Sequence, residues 1–351
     1  MDDEALITHH GSANLPAATD EQPLVTFALF AFNQERYIGE AIDAAFAQTY
    51  SPLEIILTDD CSSDSTPSIM EDMAAAYRGP HRIVVRRGLR NVGTLTHVLY
   101  AARMAQGEFL VVAAGDDISV PERVETAVSA LVGTDFCAFS SDEFIIDENG
   151  DVKDWYQDRF LNKVRDHQRN PGWVGGATAA YRTNLFKDVP IPGQKVLFED
   201  IFISDLIWTQ DKTSILSDKK LIYYRVHSEN LFGNQFLSDD LETQEANRIK
   251  NWGNQSKAKV QVLNTRRANP QAYFNPDKIS DLMIDQKFNQ LMANWQSAGL
   301  AEKFQGIFFA TKVGRPWAYL ARIFGKSLYF QSVSLKSRVK ALLGNSPVSG
   351  Q

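Results

Sequence analysis

The sequence predicts an α/β fold built on a largely parallel sheet, and three observations predict it. Short runs rich in Val, Ile, Leu and Phe recur at residues 24–31, 53–58, 82–87 and 109–114. Runs so brief, with little polar alternation, read as strands buried on both faces. Between them lie segments whose apolar residues return at three- and four-residue steps, and strands alternating with such helices make βαβ units with right-handed crossovers. Last, acidic pairs stand at two of the strand ends, Asp59-Asp60 and Asp116-Asp117. Open α/β sheets take their ligands outside the carboxyl ends of the strands.

Each element follows in chain order. Residues 1–22 mix acids, His9-His10, Gly and Ser without periodicity and are expected to be a disordered leader. Leu24 to Ala31 is the first strand, and Tyr37, Ile38, Ala41, Ile42 and Phe46 mark the helix after it. Leu53 to Thr58 is the second strand. Thr66 is the expected cap of the next helix, with Pro67 at its first position, where proline's missing N–H costs nothing. Arg82 to Arg87, the helix Thr94 to Gln106 and the strand Phe109 to Ala114 complete this half. Beyond it the pattern predicts a helix over 120–132, which Ser119 and Glu122 fit as a capping box, then a short strand over 136–141. Loops with a helix fill 142–171, a helical segment opens at Phe198, and 214–225 reads as a strand pair. From about 235 onward the chain reads as helical.

Composition bounds the rest. The 351 residues suffice for a sizeable core and more than one domain. Two cysteines, Cys61 and Cys137, make no disulfide framework, which points to a reducing compartment. The sequence holds no apolar run of 18 residues and no signal-peptide pattern at its start, so a cytoplasmic location is expected. The net charge of −7 is unevenly spread: after Glu302 there are eight basic side chains and no acidic one, leaving −15 on everything before. That balance argues against nucleic acid as a partner of the main part. In the tail, Trp317, Leu320, Phe324 and Leu328 fall within an arc of about 80° on a helix, opposite Arg315, Arg322 and Lys326. A Trp-bearing apolar face backed by cations suits the interface of an anionic bilayer, so residues 303–343 are a candidate for peripheral attachment to the inner membrane face.

The run Phe109-Leu110-Val111-Val112-Ala113-Ala114-Gly115-Asp116-Asp117 carries the most chemistry. Two adjacent carboxylates repel, and a shared cation relieves the repulsion. Oxygen donors suit Mg²⁺ or Mn²⁺, either of which neutralises phosphates in turn.

Four stretches in fixed order resemble the inverting nucleotide-sugar glycosyltransferases of family 2, with the type A fold. They are Phe30-Ala31-Phe32-Asn33 after the first strand, Asp59-Asp60-Cys61-Ser62 after the second, Asn91-Val92-Gly93 leading through a helix to Gln106-Gly107-Glu108-Phe109 and Asp116-Asp117, and Glu199-Asp200 followed by Tyr224-Arg225-Val226-His227. The resemblance covers about residues 23–232. It implies a Rossmann-like αβα catalytic domain there, with a nucleotide-sugar half (23–118), an acceptor half (119–232) and a helical C-terminal region (233–351). It implies transfer of a sugar from a nucleoside-diphosphate sugar, UDP-linked for preference, to a saccharide or lipid-linked hydroxyl acceptor, in surface polysaccharide or glycolipid synthesis.

The residue roles follow from the same resemblance. Asp60 would accept a hydrogen bond from the nucleobase, with Phe30 and Phe32 beside the ring; Phe32 stands where relatives often have tyrosine and keeps stacking without the phenol. Asp116 would contact the donor ribose, and Asp117 with His227 would hold the metal. Arg225 is a candidate diphosphate clamp on its bidentate geometry. Asp200 would be the general base, with Glu199 as positioning group or second candidate, and Gly175-Gly176 would line the acceptor site. Relatives often carry an arginine in the helix after the third strand, for which this chain offers His97 or Arg103.

Rival readings meet specific obstacles. A sugar nucleotidyltransferase needs a Gly-rich phosphate loop after the first strand, where Phe32-Asn33-Gln34-Glu35-Arg36 has no glycine. A dinucleotide-dependent dehydrogenase needs G-x-G-x-x-G, which follows no strand here. A non-catalytic partner subunit of the same fold would lose the carboxylates, and both acidic motifs are present.

Overall fold

A computed structural model describes residues 5–11, 15–20, 22–153, 159–230, 241–295 and 297–312. The chain divides into two compact units, one of residues 1–244 and 257–279, the other of 245–256 and 280–351. The expected tail helix over 315–330 lies outside the described residues.

The first unit is built on a nine-stranded sheet. Its strands are β1 (Ala5–Gly11), β2 (Val25–Ala31), β3 (Leu53–Asp59), β4 (Arg82–Gly88), β5 (Phe109–Ala114), β6 (Ile118–Ser119), β7 (Ala138–Ile146), β8 (Ala180–Arg182) and β9 (Ser214–Arg225). They lie in the order β1-β4-β3-β2-β5-β8-β7-β9-β6. The centre, β4-β3-β2-β5, is parallel throughout, and β7 and β9 pair in parallel as well. The helices are α1 (Ile38–Phe46), α2 (Thr66–Ala76), α3 (Thr94–Met104), α4 (Arg123–Leu131), α5 (Arg159–Arg169), α6 (Glu199–Thr209), α7 (Leu241–Ala268), α8 (Pro276–Ala293) and α9 (Leu300–Lys312). The fold is the expected αβα arrangement with a helical C-terminal region.

The core follows from strand parity. Phe27 and Leu29 of β2, Ile55 and Leu57 of β3, and Val111 and Ala113 of β5 point to one face and meet the apolar stripes of α1, α2 and α4. Thr58, one residue out of phase with Leu57, points to the other face and bonds His97 of α3 there. Register sets up the site. Ala31 pairs with Asp59 and Phe30 with Ala114, so three strands end at one level. The bonds Asp60 N–H to Ala31 O (3.0 Å) and Gly115 N–H to Phe30 O (2.8 Å) carry that alignment one residue past the sheet. Both acidic pairs therefore emerge at the same end of the sheet, on either side of β2.

Several expectations are corrected. Residues 5–11 are not part of a structureless leader: they pair antiparallel with β4 along seven residues, because a sheet edge offers backbone partners that need no apolar periodicity. Ser65, not Thr66, caps α2, and the Thr66 hydroxyl instead accepts from the Gln34 N–H. No capping box forms at Ser119, whose hydroxyl accepts from Arg123 while Ile118-Ser119 pairs with β9. The strand expected over 136–141 runs on to Ile146, and 214–225 is one bulged strand rather than two, since β7 supplies a partner along its length.

The second unit is helical among the described residues. Phe288, Met292 and Ala310 are buried there, packed by Trp252, Leu291, Trp295 and Phe309.

Candidate active site

Beyond β2, β3 and β5 the chain makes three adjacent turns. Asn33 adopts a left-handed conformation (φ 53°), where a short polar side chain is tolerated. Its N–H donates to the Ser62 hydroxyl, and its Oδ1 accepts from the Ser63 N–H at 2.9 Å. The Glu35 N–H donates to Asp64, and the Ser65 N–H returns the bond to Glu35. The turns after β2 and β3 are thereby knitted together.

Asp60, the first residue after β3, is 4% exposed. Its two carboxylate oxygens accept the N–H groups of Val92 (2.9 Å) and Gly93 (3.0 Å). Burial pushes its pKa up, opposed by those two bonds and by the charges of Arg86 and Lys195. Phe30 is half-buried, edge-on to His97. Phe32 is 46% exposed and precedes Asn33, whose N–H bonds the loop after Asp60. Neither His97 nor Arg103 supplies the expected cation. Burial lowers the His97 pKa to about 3 and keeps the ring neutral on Thr58, and Arg103 donates to the Val189 carbonyl. The cations near Asp60 are Lys195 and Arg86 of β4, the latter fully buried and donating to the Thr58 hydroxyl.

The two carboxylates of the second acidic pair have different partners. Asp117 Oδ1 accepts the Arg225 N–H at 2.9 Å, whereas Asp116 Oδ2 faces His227 Nε2 at 3.1 Å and Asn230 Nδ2 at 3.4 Å. The carboxylate that meets His227 is thus Asp116 rather than its neighbour. His227 Nδ1 accepts from the Glu229 N–H, which leaves the ring hydrogen on Nε2 to donate to Asp116.

Arg225, the candidate diphosphate clamp, turns inward. Its guanidinium is buried and its donors are spent within the protein: Nε on the Asp116 carbonyl (2.9 Å), Nη1 on the carbonyls of Asp147 and Glu148, Nη2 on Glu40 (2.8 Å). It also lies over the Tyr37 ring, which packs on His227. It braces the turn that carries Asp116. Its cationic identity was legible in the sequence, but the distant partner Glu40 was not.

On the acceptor side, Glu199 and Asp200 open α6, and both are half-buried. Burial is the main cause that raises both carboxyls above their ordinary range, and for Glu199 the neighbouring Asp200 charge adds to it. Asp200 Oδ1 accepts the Ile201 N–H. Gly176 faces the pair: a Cβ there would stand 2.7 Å from Glu199 Oε1 and 3.3 Å from the Asp200 Cβ. Gly175 meets Trp173 and Thr178 instead, and its N–H is held by the Ser140 hydroxyl. A cleft of about 110 Å³ borders Asp200, with Trp173, Val174, Ser204 and Asp205 in its walls.

Arg123 was missed. It is fully buried, and its guanidinium donates to the carbonyls of Val112 and Ala177 and to the Ser119 hydroxyl. It ties the end of β5 to the turn at Gly176. The available signal was its position: Arg123 lies four residues before Ala127, on the stripe that buries Val124, Val128 and Leu131. Desolvation lowers its pKa to about 10, so it stays charged. Tyr181 was missed as well; its hydroxyl is buried, with no hydrogen-bond partner among the described residues.

Among the described residues no three His, Cys, Asp or Glu groups are gathered as a ready metal cage. The donors at Asp116, Asp117 and His227 nevertheless fit a cation that completes its shell from phosphate oxygens. Mg²⁺ and similar ions are commonly held by one or two carboxylates plus substrate phosphates. Ligation through His227 Nε2 would require the ring hydrogen to leave that atom.

Residues 26–189 match the family described as glycosyl transferase family 2. The succinoglycan biosynthesis protein ExoO of Rhizobium meliloti is 32% identical over 114 residues, 32% of this chain and 31% of that protein. The chain spans about a quarter to a third of the length of such curated relatives. Among solved structures, the mannosyltransferase PcManGT from Pyrobaculum calidifontis, in complex with GDP-Man and Mn2+, is similar with a TM-score of 0.57 and 16% identity, over 95% of this chain and 91% of that one. TarS of S. aureus, in complex with UDP-GlcNAc, is similar with a TM-score of 0.52 and 18% identity, over 85% and 83%. At these identities the two likenesses show the fold.

Proposed function

We propose that this chain, which carries a glycosyl transferase family 2 domain over residues 26–189, moves a sugar from a nucleoside-diphosphate sugar to a hydroxyl acceptor with inversion at the anomeric carbon. The observation that carries the reading is the pair Glu199-Asp200: two half-buried carboxyls of raised pKa, opposite a glycine at the start of α6. The structural likeness to nucleotide-sugar-bound proteins supports the donor class.

The nucleobase lies against Phe32 and the loop that Asp60 holds, with UDP as the favoured carrier. Asp116 meets the ribose–diphosphate end. Asp116, Asp117 and His227 would hold Mg²⁺ or Mn²⁺, which stabilises negative charge on a departing nucleoside diphosphate. Asp200 accepts the proton of the acceptor hydroxyl as its oxygen attacks the anomeric carbon; a raised pKa makes it a stronger base near neutrality. Glu199 positions Asp200, and Gly176 keeps the space before both clear. One displacement through one base inverts the anomeric centre.

The wider setting belongs to the same proposal. ExoO is a succinoglycan biosynthesis protein, and the acceptor here is taken to be a saccharide or lipid-linked saccharide of surface polysaccharide synthesis. No helix among the described residues is long and apolar enough to cross a membrane. A peripheral position on the inner membrane face, through the basic stretch 303–343, brings the enzyme to a lipid-linked acceptor.

The test is a panel of UDP-, GDP- and dTDP-sugars, scored by the melting temperature of the purified chain with and without Mn²⁺. A cation-dependent rise with one nucleotide class is expected, followed by inverted product stereochemistry by NMR. No rise with any nucleotide would overturn the proposal.

A further inference from the structure

The assignment of Asp200 as the base leaves another carboxylate of the same helix unexplained. Asp205 borders the same cleft as Asp200. Its side chain is 11% exposed and lies 2.8 Å from Nζ of Lys259, which is 8% exposed and reaches in from α7. A buried ion pair contributes little to stability, because desolving both charges offsets their attraction. Apolar residues of like volume would pack this position at least as well. The pair's position beside the base therefore suggests a chemical purpose.

We propose that Lys259 fixes a negative charge at Asp205, and that this charge keeps the neighbouring Asp200 basic; Lys259 and Asp205 are positioning residues for the transfer reaction. The inference rests on the reading of Asp200 as the base. Glu199 and Asp205 face Asp200 from its own helix, Tyr181 from β8, and Lys259 stands behind Asp205 from α7. Arg123 stands behind the Gly176 turn, held by the Ala177 carbonyl. Of these, Asp205 adds its repulsion to burial in raising Asp200, and Lys259 holds the Asp205 carboxylate in place. Helix α7 thereby acts on the chemistry of α6, both helices lying beyond the matched family segment.

The experiment reads Asp200 directly and needs no substrate. The full chain is labelled with carboxyl-¹³C aspartate and titrated by NMR, the Asp200 signal being the one lost in Asp200→Asn. In Asp205→Asn the Asp200 midpoint falls by about half a pH unit or more. The double variant Asp205→Asn/Lys259→Met also lies below wild type, though by less, because no unpaired ammonium is left behind. Lys259→Arg keeps the pair and leaves the midpoint in place. An Asp200 midpoint unmoved in the double variant, which avoids a stranded buried charge and so stays folded, overturns the proposal. Transfer by Asp200→Asn at the wild-type rate would instead overturn the reading of Asp200 as base, and leave the electrostatic result standing.

Discussion

Gly176 and Glu199 are in contact through an absence: a Cβ on Gly176 would stand 2.7 Å from the Glu199 Oε1. Real Cβ atoms do not approach so closely, so Gly176→Ala must displace the carboxylate or the turn. Transfer is expected to fall roughly 10- to 100-fold, the scale of a misplacement of about 1 Å. UDP binding, measured by calorimetry, should be unchanged, because Asp60 and Asp116 lie on other turns. Equal losses of binding and turnover would refute this division.

Activity and stability should respond to pH in opposite senses. The carboxyls of Glu199 and Asp200 are raised in the folded chain, so between the ordinary carboxylate range and their folded values the native state binds more protons than the unfolded one. Stability is then fully present below the unfolded pKa and is lost as pH rises through the folded values. The basic form needed for transfer grows over the same window. Thermal melts and initial rates across that window check the sign. Asp200→Asn should flatten part of the melting trend while lowering turnover by about 10²-fold or more.

The cation should depend on Asp116 and Asp117 separately. Asp117→Ala is expected to remove the Mn²⁺ dependence of UDP binding, as is Asp116→Ala. His227→Ala should weaken it by about 10-fold or more, since an imidazole that leaves Asp116 for the metal is a third donor. Calorimetric titration of UDP with and without Mn²⁺ measures all three. An unchanged metal response in Asp117→Ala would reassign the site to Asp116 alone.

Arg225→Met should be a stability variant. It leaves the Asp116 and Glu148 carbonyls without their donor, and Glu40 without its cation. A loss of about 3 kcal/mol is expected, read as a lowered denaturation midpoint. Glu40 lies largely in solvent and Gln keeps an oxygen that can accept from Arg225 Nη2, so Glu40→Gln should cost less than Arg225→Met. A silent Arg225→Met would remove the bracing role.

How much of this was legible depended on whether the information was local. The strands at 25–31, 53–59 and 109–114 announced themselves because burial on both faces forces continuous apolar residues. Asp60, Asp116, Glu199 and Asp200 were visible because they abut those strands or open a helix. What escaped depended on partners far away in the chain. The edge strand at residues 5–11 draws its order from β4, some 75 residues on. Arg225 finds Glu40 across 185 residues, and Arg123 finds Ala177 across 54. A cation's role is set by what it meets, and no local pattern encodes that.

The basic stretch can be tested without a structure. Flotation with anionic liposomes should be strong for the full chain at low salt, weaker at high salt, and lost in a chain ending at Lys312. Equal flotation of both chains would sink the membrane proposal.

The knitting of the turns at 33–35 and 62–66 has a consequence for energetics. Their backbone N–H groups already have partners before any nucleotide arrives: Asn33 on Ser62, Gln34 on Thr66, Glu35 on Asp64, Ser63 on Asn33 and Ser65 on Glu35. Asp60 holds the facing loop in the same way. A ligand that meets a surface so prearranged surrenders little disorder on the protein's behalf, so more of its contact energy appears as affinity. The floor of the proposed nucleotide site is a template, whose amides should exchange slowly with solvent deuterium whether or not a nucleotide is bound.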